Sequence, residues 1–420
     1  MRGALVLLAA AAACVAMPDP QRFRPDARPL RGAASRGLHG AAFPLAMMGK
    51  IIHEFGLDLS VELQKTGNVV ISPLSISALL SVLLLGSAGH SHLQIRRGLH
   101  FEDYLAEEDI HVSFQRLLDA ISNNGPHVTL NIANGLFLQK GAGIIYNFTQ
   151  DARTHYNSVV STLDFKNSSV AATETINKWV EQSTSGMIPR LYKNSLDPMT
   201  TFVAVNTVFF NGTWLSPFTP AYTKDRDFDT GAEKIKVPMM SGTLNVKYVD
   251  IPEYSAHMAA LSYQGSRQAM YIILPKEKNV TANLEPLEQL LSAENVNNLI
   301  KKMTSLQMRV WLPRMRLTFK TSLRKALTNL RMDSIFKPAA ADFSRLSSEQ
   351  VWVNDVVHET VIEVTEEGTR AAAATGSDFN RMGTSRVFIV DRPAIFFIRD
   401  EESGVPLFWG RLVKPEALRG

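Results

Sequence analysis

The chain has 420 residues, 45% of them hydrophobic and 20% charged, and a formal net charge of +4 at pH 7. This is the composition of an ordinary globular protein with enough apolar material for a large core, and the length alone would allow two or three domains. So small a positive charge argues against a nucleic-acid-binding protein.

The first residues predict secretion. Met1-Arg2 precedes an apolar run from Ala4 to Ala16, which is typical of a signal peptide over residues 1–16 that is cut near Met17. The run is too short to span a membrane, so no membrane partner is expected. Cys14 is the only cysteine, so the mature chain would form no disulfide. Four Asn-x-Ser/Thr triplets agree with secretion and are the predicted glycosylation sites: Asn147, Asn167, Asn211 and Asn279.

Residues 17–42 predict a flexible basic tail, because they contain five arginines together with several Pro, Gly and Ala residues. A sulfated polysaccharide is a candidate partner for this tail and for Lys301-Lys302, although the region from Glu102 to Asp109 is acidic. No comparable linker follows the tail. The sequence therefore predicts one large domain over residues 43–420.

Apolar spacing predicts the first elements of that domain. A first helix carries Ile51, Phe55, Leu59 and Leu63 on one face and is broken at Gly67-Asn68. Ser72-Pro73 supplies an N-cap and a first-turn proline for a second helix, which is broadly apolar and ends at Gly86. Two long strands are predicted farther along the chain, at Val128–Gln139 and Phe202–Trp214.

A strand with two unlike faces precedes an unusual run of small residues. His358, Thr360, Ile362 and Val364 share one face of this strand. The sequence Glu366-Glu-Gly-Thr-Arg-Ala-Ala-Ala-Ala-Thr375 then follows. The alanines would suit an exposed helix or a flexible loop, because alanine has the highest helix propensity. Alternatively, the residues are small because the segment slides into a packed sheet, where bulky side chains would clash.

Motifs of the common enzyme classes are missing from the sequence. It contains no Gly-x-Ser-x-Gly, no His-Glu-x-x-His and no phosphate-binding glycine loop. Asp225-x-Asp227-x-Asp229 hints at a calcium loop, but Gly231 comes one residue late and Lys236 replaces the bidentate glutamate. A solvated acidic turn is the better interpretation. Neither a metal nor a cofactor is expected, and a hydrolase is disfavoured.

The run from Glu366 to Thr375, after a His-x-x-x-Ile-Glu-Val strand, resembles the hinge of the reactive loop in inhibitory serpins. Further segments resemble landmarks of that family in the expected order: Ser72-Pro-x-Ser-Ile76, Ile132–Phe137, Phe202–Trp214, Leu312-Pro-Arg314 and Leu407–Arg411. Arg331 departs from the pattern, because serpins usually have a glycine at this position, directly before the residue that matches Met332. The resemblance covers residues 43–415. It implies an α+β fold: a single domain with a large central mixed β-sheet, two further sheets, surrounding helices and an exposed reactive loop at about residues 366–392.

The resemblance also implies roles for individual residues. The hinge comprises Glu366, Gly368, Thr369, Ala371, Ala372, Ala373 and Ala374. In serpins, the histidine that matches His358 bonds serine hydroxyls and an asparagine where the central sheet opens, and the matching residues here are Ser72, Ser75 and Asn206. Arg314 matches the partner of Glu366 in a charge pair at the top of the sheet, beside Trp214. These residues are expected to form a latch, whereas an ordinary surface pair would contribute less than about 1 kcal/mol.

An inhibitory serpin acts as a suicide substrate. A serine protease cleaves the reactive loop, becomes acyl-linked through its serine, and is trapped when the cleaved loop inserts into the central sheet, an established example of strand addition and released strain. The resemblance therefore implies a secreted, extracellular, monomeric inhibitor that is not an enzyme. The alternative is a serpin-fold carrier or chaperone without inhibitory activity.

Two counts place the cleaved bond between Met382 and Gly383. Glu366 to Met382 spans seventeen residues inclusive, the usual spacing in inhibitory serpins, and Pro393 lies eleven residues after Met382. Methionine suits the hydrophobic pocket of a chymotrypsin-like or elastase-like protease. Arg381, one residue earlier, would instead suit a trypsin-like protease, so both positions remain open.

Overall fold

A computed structural model of the chain describes residues 45–63, 66–122, 127–277, 284, 287–288, 291–368 and 386–418. Its helices are α1 (Leu45–Glu62), α2 (Pro73–Gly86), α3 (Gly89–Gly98), α4 (Glu107–Ser122), α5 (Tyr146–Tyr156), α6 (Phe165–Ser183), α7 (Ala293–Lys302) and α8 (Arg324–Asn329). Its strands are β1 (Val69–Ile71), β2 (Val128–Gln139), β3 (Val159–Leu163), β4 (Phe202–Gly212), β5 (Lys224–Asp229), β6 (Lys234–Ile251), β7 (Ala256–Ser262), β8 (Gln268–Pro275), β9 (Thr304–Pro313), β10 (Met315–Ser322), β11 (Asp355–Val364), β12 (Arg386–Ile389), β13 (Ala394–Asp400), β14 (Pro406–Leu412) and β15 (Glu416–Ala417).

The six-stranded sheet has the order β15-β10-β11-β4-β2-β3. It is mixed, because β4 with β11 and β2 with β3 are parallel whereas the other described pairs are antiparallel. Parallel neighbours need a crossover connection, and more than a hundred residues of the chain separate β4 from β11. The predicted central mixed sheet is confirmed.

The other strands form one nine-stranded sheet, in which β5 pairs with β6 beside the path β1-β14-β13-β8-β7-β6-β9-β12. The two further sheets expected from the sequence are therefore joined. The cause is β6, whose 18 residues span about 60 Å at about 3.3 Å each. Its first part pairs with β5, its last part with β7, and its middle with β9.

Helix α2 is the buried central helix that the sequence predicts. The side chain of Ser72 caps it by accepting a hydrogen bond from the backbone N–H of Ser75, and Pro73 occupies the first turn. Apolar residues surround the helix on all sides, which is typical of a buried helix. It contacts β2 and β4 of the six-stranded sheet and β14 of the nine-stranded sheet. Its first turn is thereby held against the centre of the six-stranded sheet.

The centre of the six-stranded sheet is covered on both faces. One face packs on the main core, to which Val208 of β4 and Ile362 of β11 belong. The other face packs under α6, where Ile176 lies in a second apolar cluster with Val205 and Val361. A strand placed at the level of Val205 and Val361 would thus have packed side chains on both faces. The fold class predicted from the sequence is confirmed.

Candidate functional site

The pairing of β4 with β11, called the seam below, joins two parallel strands that each have an antiparallel neighbour on the other side. Eight residue pairs are in register, from Asp355 opposite Val203 to Ile362 opposite Phe210. A strand antiparallel to β11 would also be antiparallel to β4. The seam is therefore a place where a chain that turns back after β11 could pair on both sides.

Four buried polar residues meet at the seam: Ser72, Ser75, Asn206 and His358. The imidazole Nδ1 of His358 lies 2.5 Å from Asn206 Oδ1, and the Ser75 hydroxyl donates to the same oxygen at 2.9 Å. The backbone N–H of Ser72 donates to His358 Nε2 at 3.3 Å. Since His358 and Asn206 are directly opposite in register, their hydrogen bond crosses the seam.

The hydrogen bonds define the protonation state of His358. An amide N–H can only donate, so Nε2 accepts and the ring proton resides on Nδ1, which donates to Asn206. Complete burial lowers the pKa of His358 to about 3. The imidazole is therefore neutral at physiological pH and links both strands to the first turn of α2 as a structural group.

Separation of the strands would break this link. Neighbouring strands lie about 4.8 Å apart, so an additional strand between β4 and β11 would move them to about 10 Å. The hydrogen bond between His358 and Asn206 cannot span that distance. The cluster thus favours the closed sheet, as the latch interpretation requires.

A tight turn follows the end of β11. Thr365 and Gly368 exchange backbone hydrogen bonds of 3.3 and 3.2 Å, and the Thr365 hydroxyl donates to the Gly368 carbonyl at 2.7 Å. Gly368 has a φ of +99°, and a Cβ there would overlap the Gly212 carbonyl oxygen at the end of β4. Only glycine fits this position. The turn sends the chain back toward the end of the seam.

Glu366 is held inside this turn. Its carboxylate accepts a hydrogen bond of 2.7 Å from the Thr223 hydroxyl and lies 3.6 Å from Arg314 Nε. The side chain of Glu366 is 7% exposed and that of Arg314 is 26% exposed. Glu366 and Arg314 are therefore close enough to form the predicted charge pair, and the pair is partly buried. An ordinary surface pair would be fully exposed to solvent.

Trp214 closes the same end of the sheet. Its indole N–H donates to the Thr365 carbonyl at 2.9 Å, and its backbone N–H donates to the Glu367 carbonyl at 3.0 Å. The ring is buried and stacks on Tyr263, with centroids 4.4 Å apart. The residues predicted to flank the top of the sheet are thus brought together around the turn.

Three site residues were not predicted from the sequence. Asn134 of β2 accepts a hydrogen bond of 2.6 Å from Asn206, and Thr223 donates to Glu366. Glu359 lies on the seam, opposite Thr207 of β4 and Lys320 of β10. A buried polar residue within an apolar strand was the available signal for Asn134. The other two depend on pairings between distant parts of the chain.

Glu359 is a buried carboxyl group with an incomplete set of partners. It is 8% exposed, and its Oε2 has no hydrogen-bond partner among the described residues. Burial raises its pKa from 4.5 to about 7, against the opposing attraction of Lys320 and Lys193. A raised pKa favours the protonated form in the folded state. The resulting stabilisation is complete below about pH 4.5 and is lost as the pH rises through about 7.

We expect Glu359→Gln to stabilise the protein at pH 8 by about 1–3 kcal/mol, because glutamine keeps the shape and removes the ionisation cost. The gain should shrink toward zero at pH 5. Urea unfolding of wild type and variant across this pH range is the measurement. Glu363→Gln is the control, since Glu363 lies on the same strand but pairs with Arg316 at 3.4 Å. A gain independent of pH would contradict the assignment.

The remaining predicted sites are placed as follows. Asn147 and Asn167 are exposed, whereas Asn211 is half-buried on β4. Asp225, Asp227 and Asp229 lie on strand β5 rather than in a turn, because this segment pairs with β6, and Asp227 forms an ion pair of 2.8 Å with Lys236. Among the described residues, no group of three or more His, Cys, Asp or Glu could hold a metal ion, and no helix could cross a membrane.

Several predictions fall outside the described residues. These are the signal peptide, the whole basic tail, and the residues Thr369, Ala371, Ala372, Ala373, Ala374, Arg381, Met382, Gly383 and Asn279. Lys301 and Lys302 are described and lie exposed at the end of α7.

Comparison with known proteins agrees with this geometry. A family model described as "Serpin (serine protease inhibitor)" matches residues 50–415. The leukocyte elastase inhibitor of Xenopus tropicalis is 35% identical over 356 residues, which are 83% of this chain and 94% of that protein.

Two solved structures with different names share this fold. Mouse protein-Z dependent protease inhibitor superposes with a TM-score of 0.79 at 26% identity, over 88% of this chain and 98% of its own. Human thyroxine-binding globulin, solved in complex with thyroxine, has a TM-score of 0.81 at 26% identity, over 89% of this chain and 99% of its own. With a family model that matches most of its length and a curated relative above 30% identity, the chain belongs to the serpin family of serine protease inhibitors.

Proposed function

We propose that this protein is a secreted suicide inhibitor of a serine protease, whose reactive loop inserts into the seam after cleavage. The observation that supports the proposal is the junction at Thr365–Gly368. There a tight turn at the end of β11 directs the chain back over the end of β4, beside two parallel strands. The following residues, Thr369 to Thr375, are small apart from Arg370.

The chemistry requires no catalytic group from the inhibitor. The serine Oγ of the protease attacks the carbonyl carbon of the residue before the cleaved bond and forms an ester. The bond to the next nitrogen breaks, and that amine leaves with a proton supplied by the histidine of the protease. The inhibitor then has to act faster than water hydrolyses the ester.

Insertion of the cleaved loop would let the inhibitor act before the ester is hydrolysed, because insertion is favoured by the backbone pairing that it adds. The single ladder of the seam would be replaced by two ladders, one on each side of the new strand. Gly368 to Met382 is fifteen residues, or about 50 Å of extended chain at about 3.3 Å per residue. The ten residues of β11 span only about 33 Å, so the segment is long enough to carry an attached protease to the far end of the sheet.

We further propose that the target is elastase-like or chymotrypsin-like and that Met382 precedes the cleaved bond. The apolar methionine and the similarity to proteins named leukocyte elastase inhibitor support this assignment. Arg381 is the alternative and would indicate a trypsin-like target.

A panel of elastase-like, chymotrypsin-like and trypsin-like proteases tests both proposals. We expect a complex that survives SDS with an elastase-like or chymotrypsin-like member, and a released fragment that begins at Gly383 by mass spectrometry. Arg381→Ala should leave that complex intact and abolish any complex with trypsin-like proteases. A fragment that begins at Met382 would instead assign the cleaved bond to Arg381.

The alternative is a carrier, as the likeness to thyroxine-binding globulin allows. The same panel separates the two functions. A carrier would be cleaved in its loop, or not at all, and would leave active protease and no SDS-stable complex with any member.

Secretion is also a proposal, supported by the apolar run before Met17 and by the exposure of Asn147 and Asn167. We expect the protein from a secreting eukaryotic host to lack residues 1–16 and to carry N-glycans. Intact mass before and after enzymatic removal of N-glycans is the measurement, with Asn147→Gln and Asn167→Gln as site controls. A mass equal to that of all 420 unmodified residues would contradict secretion.

A further inference from the structure

Basic and aromatic side chains gather where β5, β6 and β9 meet. We call this surface the basic shelf, and its residues are Tyr222, Lys224, Arg226, Arg309 and Trp311. The three basic residues are exposed, whereas Trp311 is half-buried. Apart from Tyr222, which precedes β5, the shelf residues lie on strands of the nine-stranded sheet, whereas the seam belongs to the six-stranded sheet.

Two guanidinium groups share one indole ring. The guanidinium carbon of Arg226 lies 3.9 Å from the centre of the Trp311 ring, and that of Arg309 lies 5.3 Å from it. Together these distances limit the separation of the two guanidinium carbons to about 9 Å. Stacking on the ring restricts both groups, so their N–H donors are partly ordered before any ligand binds.

Among the described residues, the positive charges of the shelf have no ion-pair partner. Within the described part of the chain, neither Lys224, Arg226 nor Arg309 has a carboxylate oxygen within 4.0 Å. Asp225 lies at the rim, and Asp227 is already paired with Lys236. Like charges held this close repel each other, and an anion placed between them would relieve that repulsion.

The shelf also has room for a ligand. A depression of about 280 Å³ is lined by Lys224, Thr243, Arg309 and Trp311, among others. A second depression of about 540 Å³ shares Lys224, Arg309 and Trp311 and extends to Arg226 and Val387. Val387 is 47% exposed, so the cationic surface has an apolar border.

The shelf is close to the proposed cleaved bond along the chain. Val387 follows Met382 by five residues, which cannot span more than about 17 Å at about 3.3 Å each. A protease of chymotrypsin size is roughly 40 Å across, by the usual scaling of domain radius with length. A protease bound at Met382 would therefore be held within about 17 Å of Val387, which is less than half its own width.

We propose that the basic shelf is a second contact site for the target protease, which binds an acidic surface segment next to the active-site cleft. This inference rests on the proposed function. Guanidinium groups bind carboxylates through paired hydrogen bonds, and Trp311 with Val387 provides apolar contacts for the same segment. The combination suits a short acidic peptide segment better than a polysaccharide, which would gain little from the apolar border.

The shelf should act before cleavage, by attraction of the protease during encounter. Charges at the border of an interface mainly change the association rate and its salt dependence. We expect Arg226→Ala with Arg309→Ala to lower the second-order rate of inhibition about tenfold at low salt, for the panel protease that reacts fastest with the wild type. The difference should shrink at high salt, and the stoichiometry of inhibition should not change.

The matched control is Arg153→Ala with Lys178→Ala, which removes two exposed charges from α5 and α6. This pair should react at the wild-type rate. A shelf variant that reacts as fast as the control pair, or that changes only the stoichiometry, would overturn the proposal.

A second measurement does not depend on inhibition. Hexaglutamate should change the tryptophan fluorescence of the intact protein, and the change should be lost in the shelf variant and in Trp311→Phe. If no protease forms an SDS-stable complex, the proposed function fails, and this measurement alone decides whether the shelf binds acidic segments. Absence of any change with hexaglutamate, or tighter binding of a heparin oligosaccharide of equal charge, would overturn the proposal.

Discussion

Thr369→Arg should convert the inhibitor into an ordinary substrate. The protease would still cleave the loop, but the arginine would have to enter the interior of the sheet, which costs several kcal/mol when the charge has no partner. Insertion would stall while water hydrolyses the ester. We expect the SDS-stable complex to disappear and the number of inhibitor molecules consumed per protease molecule to rise at least tenfold.

Arg370→Glu is the matched control for this variant. Residues alternate between the faces of a strand, so Arg370 should point away from the side that receives Thr369. Exchange of one charge for another at that position should leave the stoichiometry near the wild-type value. Equal loss of inhibition in both variants would contradict the assigned orientation of the inserted strand.

The fold was predictable where short-range rules decide the structure. Ser72-Pro73 predicted the start of α2, and the strand predicted at Val128–Gln139 has the same bounds in the structure. A capping side chain acts on the next turn of the helix, and a long apolar run has few alternatives to a buried strand. These elements need no knowledge of their partners.

Features set by distant partners were harder to predict. The segment with Asp225 and Asp227 was expected to be a turn, but it is a strand because β6 is long enough to pair with it. Arg331, at a position where the family usually has glycine, adopts a φ of +65°. The structure thus tolerates some backbone strain there, of the order of 1 kcal/mol.

The features of the site can likewise be divided into those that the sequence predicted and those that depend on distant partners. The residues of the cluster at the seam were identified by resemblance, but the hydrogen bond that crosses the seam depends on the register of His358 opposite Asn206. That register joins segments about 150 residues apart. Likewise, the burial of Glu359 follows from β4, β10 and α6 together, and no pattern within β11 distinguishes it from the more exposed Glu363.

His358→Ala should loosen the closed sheet more than any other single truncation in the cluster. The change leaves a cavity, removes the partner of the Ser72 amide, and leaves Asn206 Oδ1 with only the Ser75 hydroxyl as a donor. Together these losses should cost about 3–5 kcal/mol of unfolding free energy. We expect a melting temperature lower by roughly 5–15 °C and, after mild heating, polymers on gel filtration. Such polymers would form because an opened seam could pair with the loop of a second molecule.

His53→Ala separates this effect from simple destabilisation. His53 is also buried, with its pKa lowered to about 3 mainly by burial, but it lies on α1 and packs on the Trp409 ring at 5.3 Å. Its truncation should lower stability without touching the seam. Each variant is heated to the same interval below its own melting temperature, so that equal fractions are unfolded.

Under these matched conditions, the rate of polymerisation should depend on where in the fold the contact is lost. Glu366→Lys should behave like His358→Ala, because a lysine beside Arg314 repels it and withdraws the acceptor of the Thr223 hydroxyl at the end of the seam. Both variants should polymerise several-fold faster than His53→Ala. If all three polymerise at one rate, global unfolding alone controls the process, and neither the cluster at the seam nor the turn at Glu366 keeps the sheet closed.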